Sequence, residues 1–241
     1  SLTTRHDLSE GIGKAVEAAL QSSDAAVGEI GMASLSTTLA TNALVEGQGG
    51  RAGLVYIGFR EGDLAAHGLQ EVLSGDPALV MAGGHSHPGT EAAPLDESAL
   101  LAWLETEPDA SAYAVASQFA TRNPAHEQRA AEVIREVTGR PVSCSHHLSA
   151  KLNGPKRALT ALLNARLIGM IAQLIDKAEG KLRDLGIDAP LMVVRGDGAL
   201  ISAEQAREKP IETILSGPAA SIIGARWMTG ADHALVSDIG G

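Results

Sequence analysis

Two segments near the end of the sequence place an aspartate among glycines directly after a short apolar run. Residues 191–198 read Leu-Met-Val-Val-Arg-Gly-Asp-Gly, and residues 234–241 read Ala-Leu-Val-Ser-Asp-Ile-Gly-Gly. Glycines allow backbone N–H groups to converge on an anion such as a phosphate, and an aspartate can hold the metal that accompanies phosphates. A tight turn after a buried strand uses the same residue types, so a purely structural role stays open. The candidate phosphate-binding residues are Gly196, Asp197, Gly198, Asp238, Gly240 and Gly241.

A second candidate is the hydroxyl-rich segment Ser36-Thr-Thr-Leu-Ala-Thr-Asn-Ala-Leu, which follows a predicted strand over residues 27–32 and enters a short predicted helix. Thr37, Thr38 and Asn42 can present hydrogen-bond donors to a ligand there. The same side chains can cap the first turn of a helix, so the residues alone leave both roles open.

A third candidate is the pair His85 and His87, which follows an apolar run over residues 78–82. If the strand continued, both imidazoles would face the same way and could form half of a divalent metal site. The flanking glycines and proline favour a polar surface loop instead. The candidate for a third ligand is the pair His146 and His147, because neutral imidazole is a common ligand of zinc and related metals.

Six blocks of the sequence, in this order and spacing, resemble the hydantoinase/oxoprolinase family, whose members are ATP-dependent enzymes that open cyclic amides. The resemblance covers nearly the whole chain, and several blocks in order are far more specific than any one of them. The blocks begin Ser36-Thr-Thr-Leu-Ala-Thr-Asn, Gly50-Arg-Ala-Gly-Leu-Val-Tyr, Arg157-Ala-Leu-Thr-Ala-Leu-Leu-Asn, Val194-Arg-Gly-Asp-Gly, Pro210-Ile-Glu-Thr-Ile-Leu-Ser-Gly-Pro and Val236-Ser-Asp-Ile-Gly-Gly.

This resemblance implies an α/β fold related to the actin, sugar-kinase and heat-shock ATPases, in which two lobes hold ATP between them. Residues 1–153 would form an incomplete first lobe with an inserted α/β part, residues 154–189 a long connecting helix, and residues 190–241 the start of the second lobe. The opening phosphate hairpin would lie before Ser1 and the adenine pocket after Gly241. We therefore expect the isolated chain to bind nucleotide weakly.

The resemblance also implies roles for the candidate residues. Asp238, Thr37 and Asn42 would be catalytic, Asp238 with Gly240 and Gly241 would bind ATP and Mg²⁺, and Gly217 with Gly196-Asp197-Gly198 would lie near the cleft. The γ-phosphoryl group of ATP would activate a ring amide oxygen so that water can open the ring.

The expected function is thus ATP-dependent hydrolysis of a cyclic amide of the hydantoin or oxoproline type. The expected partner is a second hydantoinase/oxoprolinase subunit or domain, and a homo-oligomer stays open. An alternative within the family is a subunit of the acetone carboxylase beta type, which uses ATP to activate a ketone. An alternative of another class is a noncatalytic assembly or regulatory module on the same fold.

The composition excludes several other classes of protein. The chain of 241 residues is 44% hydrophobic with a formal net charge of −10, and nucleic-acid binding needs a basic surface instead. Cys144 is the one cysteine, so no internal disulfide can form, and we expect a cytoplasmic location. We also expect no apolar run of the roughly 20 residues that span a bilayer, and hence no membrane contact.

The order of the predicted elements indicates how these residues are positioned. Apolar runs over residues 52–57, 112–116, 191–194 and 234–236 are predicted to be buried strands. Helices are predicted between the runs over residues 52–57 and 112–116. Strands that alternate with helices in this way indicate a largely parallel sheet.

The longest predicted helix runs from about Pro155 to Leu185, because its Leu, Ile and Met residues recur every three or four positions. We expect this helix to separate two packed units. Its polar residues Arg157, Thr160 and Asn164 lie one and two turns apart and can point at a common place.

Overall fold

The structure, a computed structural model, describes residues 8–23, 26–231 and 233–237. The chain forms two compact units. We call residues 48–169 the central unit, and residues 1–47 together with 170–241 the flanking unit.

The described residues form nine α-helices and seven strands, in the following order. They are α1 (Leu8–Ser22), β1 (Ala33–Leu35), α2 (Leu39–Val45), β2 (Ala52–Ile57), α3 (Leu69–Leu73), β3 (Ala78–Met81), α4 (Glu97–Glu105), β4 (Ala112–Ser117), α5 (Ala125–Thr138), β5 (Val142–Cys144), α6 (Ser145–Leu148), α7 (Gly154–Asp184), β6 (Leu191–Val194), β7 (Leu200–Ser202), α8 (Ala203–Glu208) and α9 (Ser216–Thr229). Three short 3-10 helices cover Val27–Glu29, Glu61–Gly68 and Pro210–Thr213.

The central unit is built on a four-stranded sheet in the order β3-β2-β4-β5, and every strand pair is parallel. All residues of β2 and β4 are buried, as expected for strands covered on both faces. The carboxyl ends of parallel strands meet at one edge of a sheet. After β3 the chain crosses to the other side of β2, and in such sheets ligands bind outside the carboxyl ends at this kind of reversal.

The two faces of this sheet pack against different helices. Tyr56 and Ala114 lie on the face covered by α3 and the first half of α7. Ile57 and Val115 lie on the opposite face, which packs on α4 and α5. The strand–helix alternation in the sequence therefore predicted the parallel sheet correctly.

The flanking unit contains a three-stranded sheet in the order β1-β6-β7. β1 pairs with β6 in parallel, with Ala33 opposite Leu191, and β6 forms an antiparallel hairpin with β7. The lobe boundaries expected at residues 153 and 189 stay predictions. Residues 1–47 cluster with the end of the chain because β1 bonds to β6, and such a long-range pairing is invisible in local sequence.

The predicted long helix is confirmed: α7 is unbroken over 31 residues. Its first half buries Ala158, Ala161 and Leu162 in the central unit, and its second half buries Ile171 and Ile175. The boundary between the units falls within the helix, after residue 169.

The hydropathy of α7 is higher than the sequence analysis expected. An 18-residue window of α7 has a mean hydropathy of 1.6, so by length and composition alone this helix could cross a membrane. This finding corrects the expectation that no apolar run is long enough to span a bilayer. Half of the window is buried inside the protein. This packing favours the role of a core helix.

Two predicted strands are wrong. Residues 27–32 begin with a 3-10 helix, because Gly28 and Gly31 interrupt the apolar run and the Glu29 carboxylate accepts a hydrogen bond from the Ala26 N–H at 2.9 Å. Residues 234–236 form no strand, and Leu235 is 98% exposed. A run of three residues needs a neighbouring strand, and among the described residues none pairs with it.

Candidate functional site

A buried carboxylate lies at the carboxyl edge of the central sheet. Glu127, in the first turn of α5, is fully buried. Its Oε1 accepts hydrogen bonds from the Ser117 N–H at 2.7 Å and the Ser145 hydroxyl at 2.5 Å. Its Oε2 accepts one from the His146 N–H at 3.0 Å. The carboxylate therefore bonds to the last residue of β4 and to the first two residues after β5.

A buried arginine balances this charge. Arg157, in the first turn of α7, is only 1% exposed. Its Nε donates to the Ser145 hydroxyl at 3.2 Å, and its Nη2 donates to the Ser117 carbonyl at 2.8 Å. Burial lowers the pKa of Arg157, and the charge of Glu127 counteracts that shift. We call Glu127, Arg157, Ser117, Ser145 and His146 the edge cluster.

The orientation of His146 follows from its contact with Glu127. The two side chains meet through Nδ1 and Oε2 at 2.5 Å. Because a carboxylate only accepts hydrogen bonds, Nδ1 carries a hydrogen. Nε2 is buried and has no hydrogen-bond partner among the described residues. The Glu127 carboxylate therefore orients the imidazole of His146.

The sequence-predicted His85 lies at the same edge, but it does not pair with His87. Gly83 and Gly84 have φ values of 138° and 86°, so β3 does not continue as the prediction assumed. The His85 ring packs against His126 with centroids 4.4 Å apart, while His87 contacts the Phe119 ring. A metal site at His85 and His87 stays a prediction.

His126 is itself held by hydrogen bonds. Its Nδ1 accepts from the Gly84 N–H at 2.8 Å, so Nε2 carries the hydrogen and donates to Glu91 at 3.0 Å. His85 is 2% exposed, and its Nδ1 has no partner in the described part of the chain. Burial lowers the pKa of His85, and the neighbouring His126 lowers it further. His85 is therefore neutral near pH 7.

The possibility of a metal at the edge cluster can be tested on its donor set. Among the described residues, only Glu127, Cys144 and His146 bring three ligating atoms within 4.8 Å of one another. Both Glu127 oxygens already accept two hydrogen bonds each, which uses the roughly four acceptor positions of a carboxylate. Burial raises the pKa of the Cys144 thiol to about 12, so the thiolate that metals bind is disfavoured. These residues do not fit a metal ion.

In the flanking unit, the hydroxyl-rich segment lies beside the start of α9. The Ser216 hydroxyl donates to the Thr37 carbonyl at 2.9 Å, and the Leu215 N–H donates to the Thr41 hydroxyl at 3.0 Å. A Cβ on Gly217 would lie 3.5 Å from the Thr38 methyl. The structure therefore brings together two sequence-predicted regions, the one at Thr37 and the one at Gly217, through a bond between Thr37 and Ser216 that spans 179 residues of sequence.

The side chains within the hydroxyl-rich segment bond mainly to the segment itself. The Thr37 hydroxyl accepts from the Leu39 N–H at 3.0 Å, which caps α2. The Asn42 amide donates to the Thr38 hydroxyl at 3.4 Å. Capping is thus one role of Thr37, and the catalytic roles of Thr37 and Asn42 stay predictions.

The segment Gly196-Asp197-Gly198 forms the turn of the hairpin between β6 and β7. Asp197 accepts hydrogen bonds from the Arg195 guanidinium and from the Ala199 N–H at 3.0 Å. The Gly196 N–H donates to the Glu212 carbonyl at 2.8 Å, so it is not free for a phosphate. These bonds favour a structural turn. Asp238, Gly240 and Gly241 lie outside the described residues.

Sequence reasoning missed most of the edge cluster. Glu127, Ser117 and Ser145 carry no motif, although Ser117 ends the buried strand β4 and Ser145 directly follows β5. That placement is the signal that could have found them. Of the polar residues of α7, Arg157 and Asn164 both reach the β5 region, the latter through a 3.0 Å bond to the Ser143 hydroxyl. Thr160 instead donates to the Lys156 carbonyl.

Similar solved structures support the predicted fold. The ATP-dependent caprolactamase from Pseudomonas jessenii superimposes with a TM-score of 0.74 at 25% identity, over 95% of this chain and 37% of that chain. The nucleotide-free acetone carboxylase superimposes with a TM-score of 0.77 at 20% identity over the same shares. The predicted fold class, α/β and related to the actin-like ATPases, is confirmed.

Sequence relatives give the same result. The caprolactamase subunit alpha of Pseudomonas jessenii is 27% identical over 85% of this chain, and the acetophenone carboxylase gamma subunit of Aromatoleum aromaticum is 29% identical over 99% of it. The chain spans 32% and 37% of the lengths of these relatives. Residues 1–138 match the family described as hydantoinase/oxoprolinase N-terminal region, and residues 157–241 match the one described as hydantoinase/oxoprolinase. The chain therefore belongs to the hydantoinase/oxoprolinase family.

Proposed function

We propose that the whole protein is an ATP-dependent enzyme that opens a cyclic amide of the hydantoin or oxoproline type. The observation that carries this proposal is the family match over residues 1–138 and 157–241, together with the similarity to a caprolactamase subunit. The chain corresponds to about a third of its relatives. The activity is therefore proposed for the protein that contains this chain.

The start of α9 fits a phosphate group of ATP. This 14-residue helix has Leu215 at its N-cap, and no side chain caps it. The Ser216 and Gly217 N–H groups lie in the first turn, where helix amides lack intrahelical partners and favour anions. Asp238, Gly240 and Gly241 remain the predicted ligands of ATP and Mg²⁺. Bound ATP would supply the phosphoryl group that, on the amide oxygen, makes the amide carbon a better electrophile for water, which opens the C–N bond of the ring.

The relatives also support a proposal about assembly. Both are named as subunits, alpha of caprolactamase and gamma of acetophenone carboxylase. We infer that this protein works with a second subunit or domain of the same family.

A second candidate function is the ATP-dependent carboxylation of a ketone. The observation that favours it is the 29% identity to the acetophenone carboxylase subunit over 99% of the chain. The two functions differ in the substrate that makes ATP hydrolysis proceed.

The test is phosphate release from ATP by the full-length protein, with and without its second subunit. We expect hydantoin or 5-oxoproline to stimulate release, EDTA to abolish it, and added Mg²⁺ to restore it. Stimulation by acetone alone would select the carboxylase function. No phosphate release with any of these compounds would select the noncatalytic assembly or regulatory module.

A further inference from the structure

Exposed apolar side chains are concentrated near the end of the chain. Among the described residues, twelve large hydrophobic side chains are exposed, and six of them lie within residues 215–235. They are Leu215, Ile222, Ile223, Trp227, Met228 and Leu235. Single exposed apolar residues are ordinary on a protein surface, but a group of them marks a surface that packs against something.

Four of these residues lie on α9, and they reverse the usual arrangement of a surface helix. Such a helix turns its large apolar side chains toward the core and its polar ones toward solvent. Trp227 is 85% exposed and Met228 is 79% exposed. The half-buried positions of α9 hold only small residues, namely Gly217, Ala219, Ala220, Ser221, Gly224 and Ala225. We call the exposed side chains of Ile222, Ile223, Trp227 and Met228 the α9 surface.

The contacts of α9 with its own unit leave its last turn uncovered. The Ser216 hydroxyl bonds to Thr37, and Gly198 of the hairpin turn lies against the Ile223 side chain. Every residue of the last turn, 226–229, is exposed. A helix that carries large apolar residues on several sides is typical of a protein interior or a membrane. The 14 residues of α9 are too few to cross a bilayer, which takes roughly 20. A protein interior is therefore the environment that α9 fits.

The lengths of the relatives indicate where the covering residues come from. This chain spans 32% of the caprolactamase subunit and 37% of the acetophenone carboxylase subunit. A whole protein of that size has most of its residues outside 1–241, so the same polypeptide can supply the cover.

Sequence order favours the residues that follow 241. Elements that follow one another in sequence are usually neighbours in space. Residues 230–241 connect α9 to whatever follows, and this connection reaches roughly 40 Å when fully extended. The exposed Leu235 lies on the same connection, so the uncovered apolar residues continue from α9 toward the following part of the protein.

We propose that the α9 surface packs against an apolar helix or sheet face formed by the residues that follow Gly241 in the whole protein. The partner belongs to the same polypeptide, so α9 is an interior helix of the whole protein. The proposal concerns packing and needs neither nucleotide nor cyclic amide. It therefore stands or falls separately from the proposed function.

Hydroxyl-radical footprinting of the wild-type full-length protein measures whether the α9 surface is covered. Methionine and tryptophan are oxidised where solvent reaches them, methionine to its sulfoxide. Peptide mass spectrometry gives the oxidation rates of Trp227 and Met228 in the folded protein and in urea. We expect both residues to react at least about tenfold more slowly in the folded protein, because close-packed interiors exclude solvent.

Val137→Met is the matched control. Val137 is exposed near the C-terminus of α5 in the central unit, so the methionine of this variant should be oxidised at similar rates in the folded and unfolded protein. If Met228 in the folded protein reacts as fast as the methionine of Val137→Met, the α9 surface is open to solvent and the proposal is overturned. Footprinting uses the wild-type α9, so this result does not depend on a variant of the helix that folds.

Photo-crosslinking identifies the residues that cover the surface. Trp227 is replaced by p-benzoylphenylalanine, another large aromatic residue, in full-length protein mixed with isotopically labelled copies and its second subunit. We expect crosslinks within one chain, from position 227 to residues beyond 241.

Three other crosslinking results would each overturn the proposed partner. Crosslinks between labelled and unlabelled chains would show that a second copy covers the α9 surface. Crosslinks to the second subunit would show an intersubunit contact. Crosslinks confined to residues 1–241 would show that this part of the protein covers α9 by itself.

Discussion

The hairpin turn of the flanking unit and the sheet edge of the central unit use polar residues in opposite ways. In the turn, Asp197 is exposed and its carboxylate is fully engaged by Arg195 and Ala199. At the edge, Glu127 and Arg157 are buried and linked through Ser117 and Ser145, while several buried polar atoms around them have no hydrogen-bond partner within the described chain. A glycine–aspartate motif can thus satisfy the hydrogen bonds of its own turn, whereas the sheet edge leaves buried polar atoms unsatisfied.

The largest effect on stability is expected for Glu127→Ala, which tests the buried charges of the sheet edge. The substitution leaves the Arg157 charge uncompensated in the core and removes the acceptor of four hydrogen bonds. Removal of one partner of a buried charge pair costs about 3–5 kcal/mol. We expect that loss in the free energy of unfolding, measured by urea denaturation.

The control for this variant is Glu136→Ala, an exposed carboxylate on the same helix. It should change the free energy of unfolding by less than about 0.5 kcal/mol. If Glu127→Ala were no more harmful than Glu136→Ala, the edge cluster would not be the buried charge pair described above.

A smaller effect is expected for Gly58→Ala, which tests how the sheet edge is shaped. Gly58 follows β2 with a φ of 77°, and a Cβ there would lie 2.6 Å from the Gly83 carbonyl oxygen. The close approach lets the segment after β3 pass over the end of β2. We expect the variant to lose about 2 kcal/mol of stability.

Gly62→Ala provides the comparison for Gly58→Ala, since a Cβ at Gly62 has no heavy atom within 4 Å and its φ is not positive. It should melt within a few degrees of the wild type. A Gly58→Ala variant as stable as Gly62→Ala would contradict the close approach of the two segments.

The pH dependence of stability tests the buried histidine of the edge. The pKa of His85 is lowered from 6.5, first by burial and then by His126, with Glu91 opposing. The unfolded chain therefore binds the proton more readily, and stability falls as the pH drops below about 6.5, at most by about 1.4 kcal/mol per pH unit. His85→Phe keeps a ring against His126 but cannot titrate.

We expect the stability of His85→Phe to depend less steeply on pH between 6.5 and 5 than that of the wild type. Urea denaturation at a series of pH values measures this slope. Parallel curves for the two proteins would show that His85 takes up its proton equally well in the folded and unfolded states.

The sequence predicted regular elements better than long-range contacts. β2 and β6 were found from short apolar runs and α7 from its apolar periodicity, because burial imposes these patterns locally. The pairing of β1 with β6 was missed, since nothing near Ala33 or Leu191 encodes a partner more than 150 residues away.

The candidate sites show the same limit. The resemblance led to Thr37 and Gly217, which the structure places in one region of the flanking unit. Glu127 was missed because an acidic residue in the first turn of a helix is ordinary. Only the fold reveals that it is buried beside Arg157.

The smallest effect is expected for Asp197→Asn, which tests whether the aspartate of the hairpin turn has only a structural role. Hydrogen bonds from Arg195 and from the Ala199 N–H hold the pKa of Asp197 below its usual range, so this carboxylate adds stability above the unfolded pKa of about 3.8 and loses it as the pH falls below that value. The group is exposed, and solvent and salt screen its charge. We therefore expect no measurable change in the melting temperature at pH 7 in 0.15 M salt, and unchanged phosphate release from ATP in the full-length protein. Because Asp197 accepts three hydrogen bonds within its own turn, we expect it to stabilise the turn rather than to hold a phosphate-bound metal. A large loss of ATP hydrolysis in Asp197→Asn, with the melting temperature intact, would instead place this hairpin at the nucleotide, as its sequence first indicated.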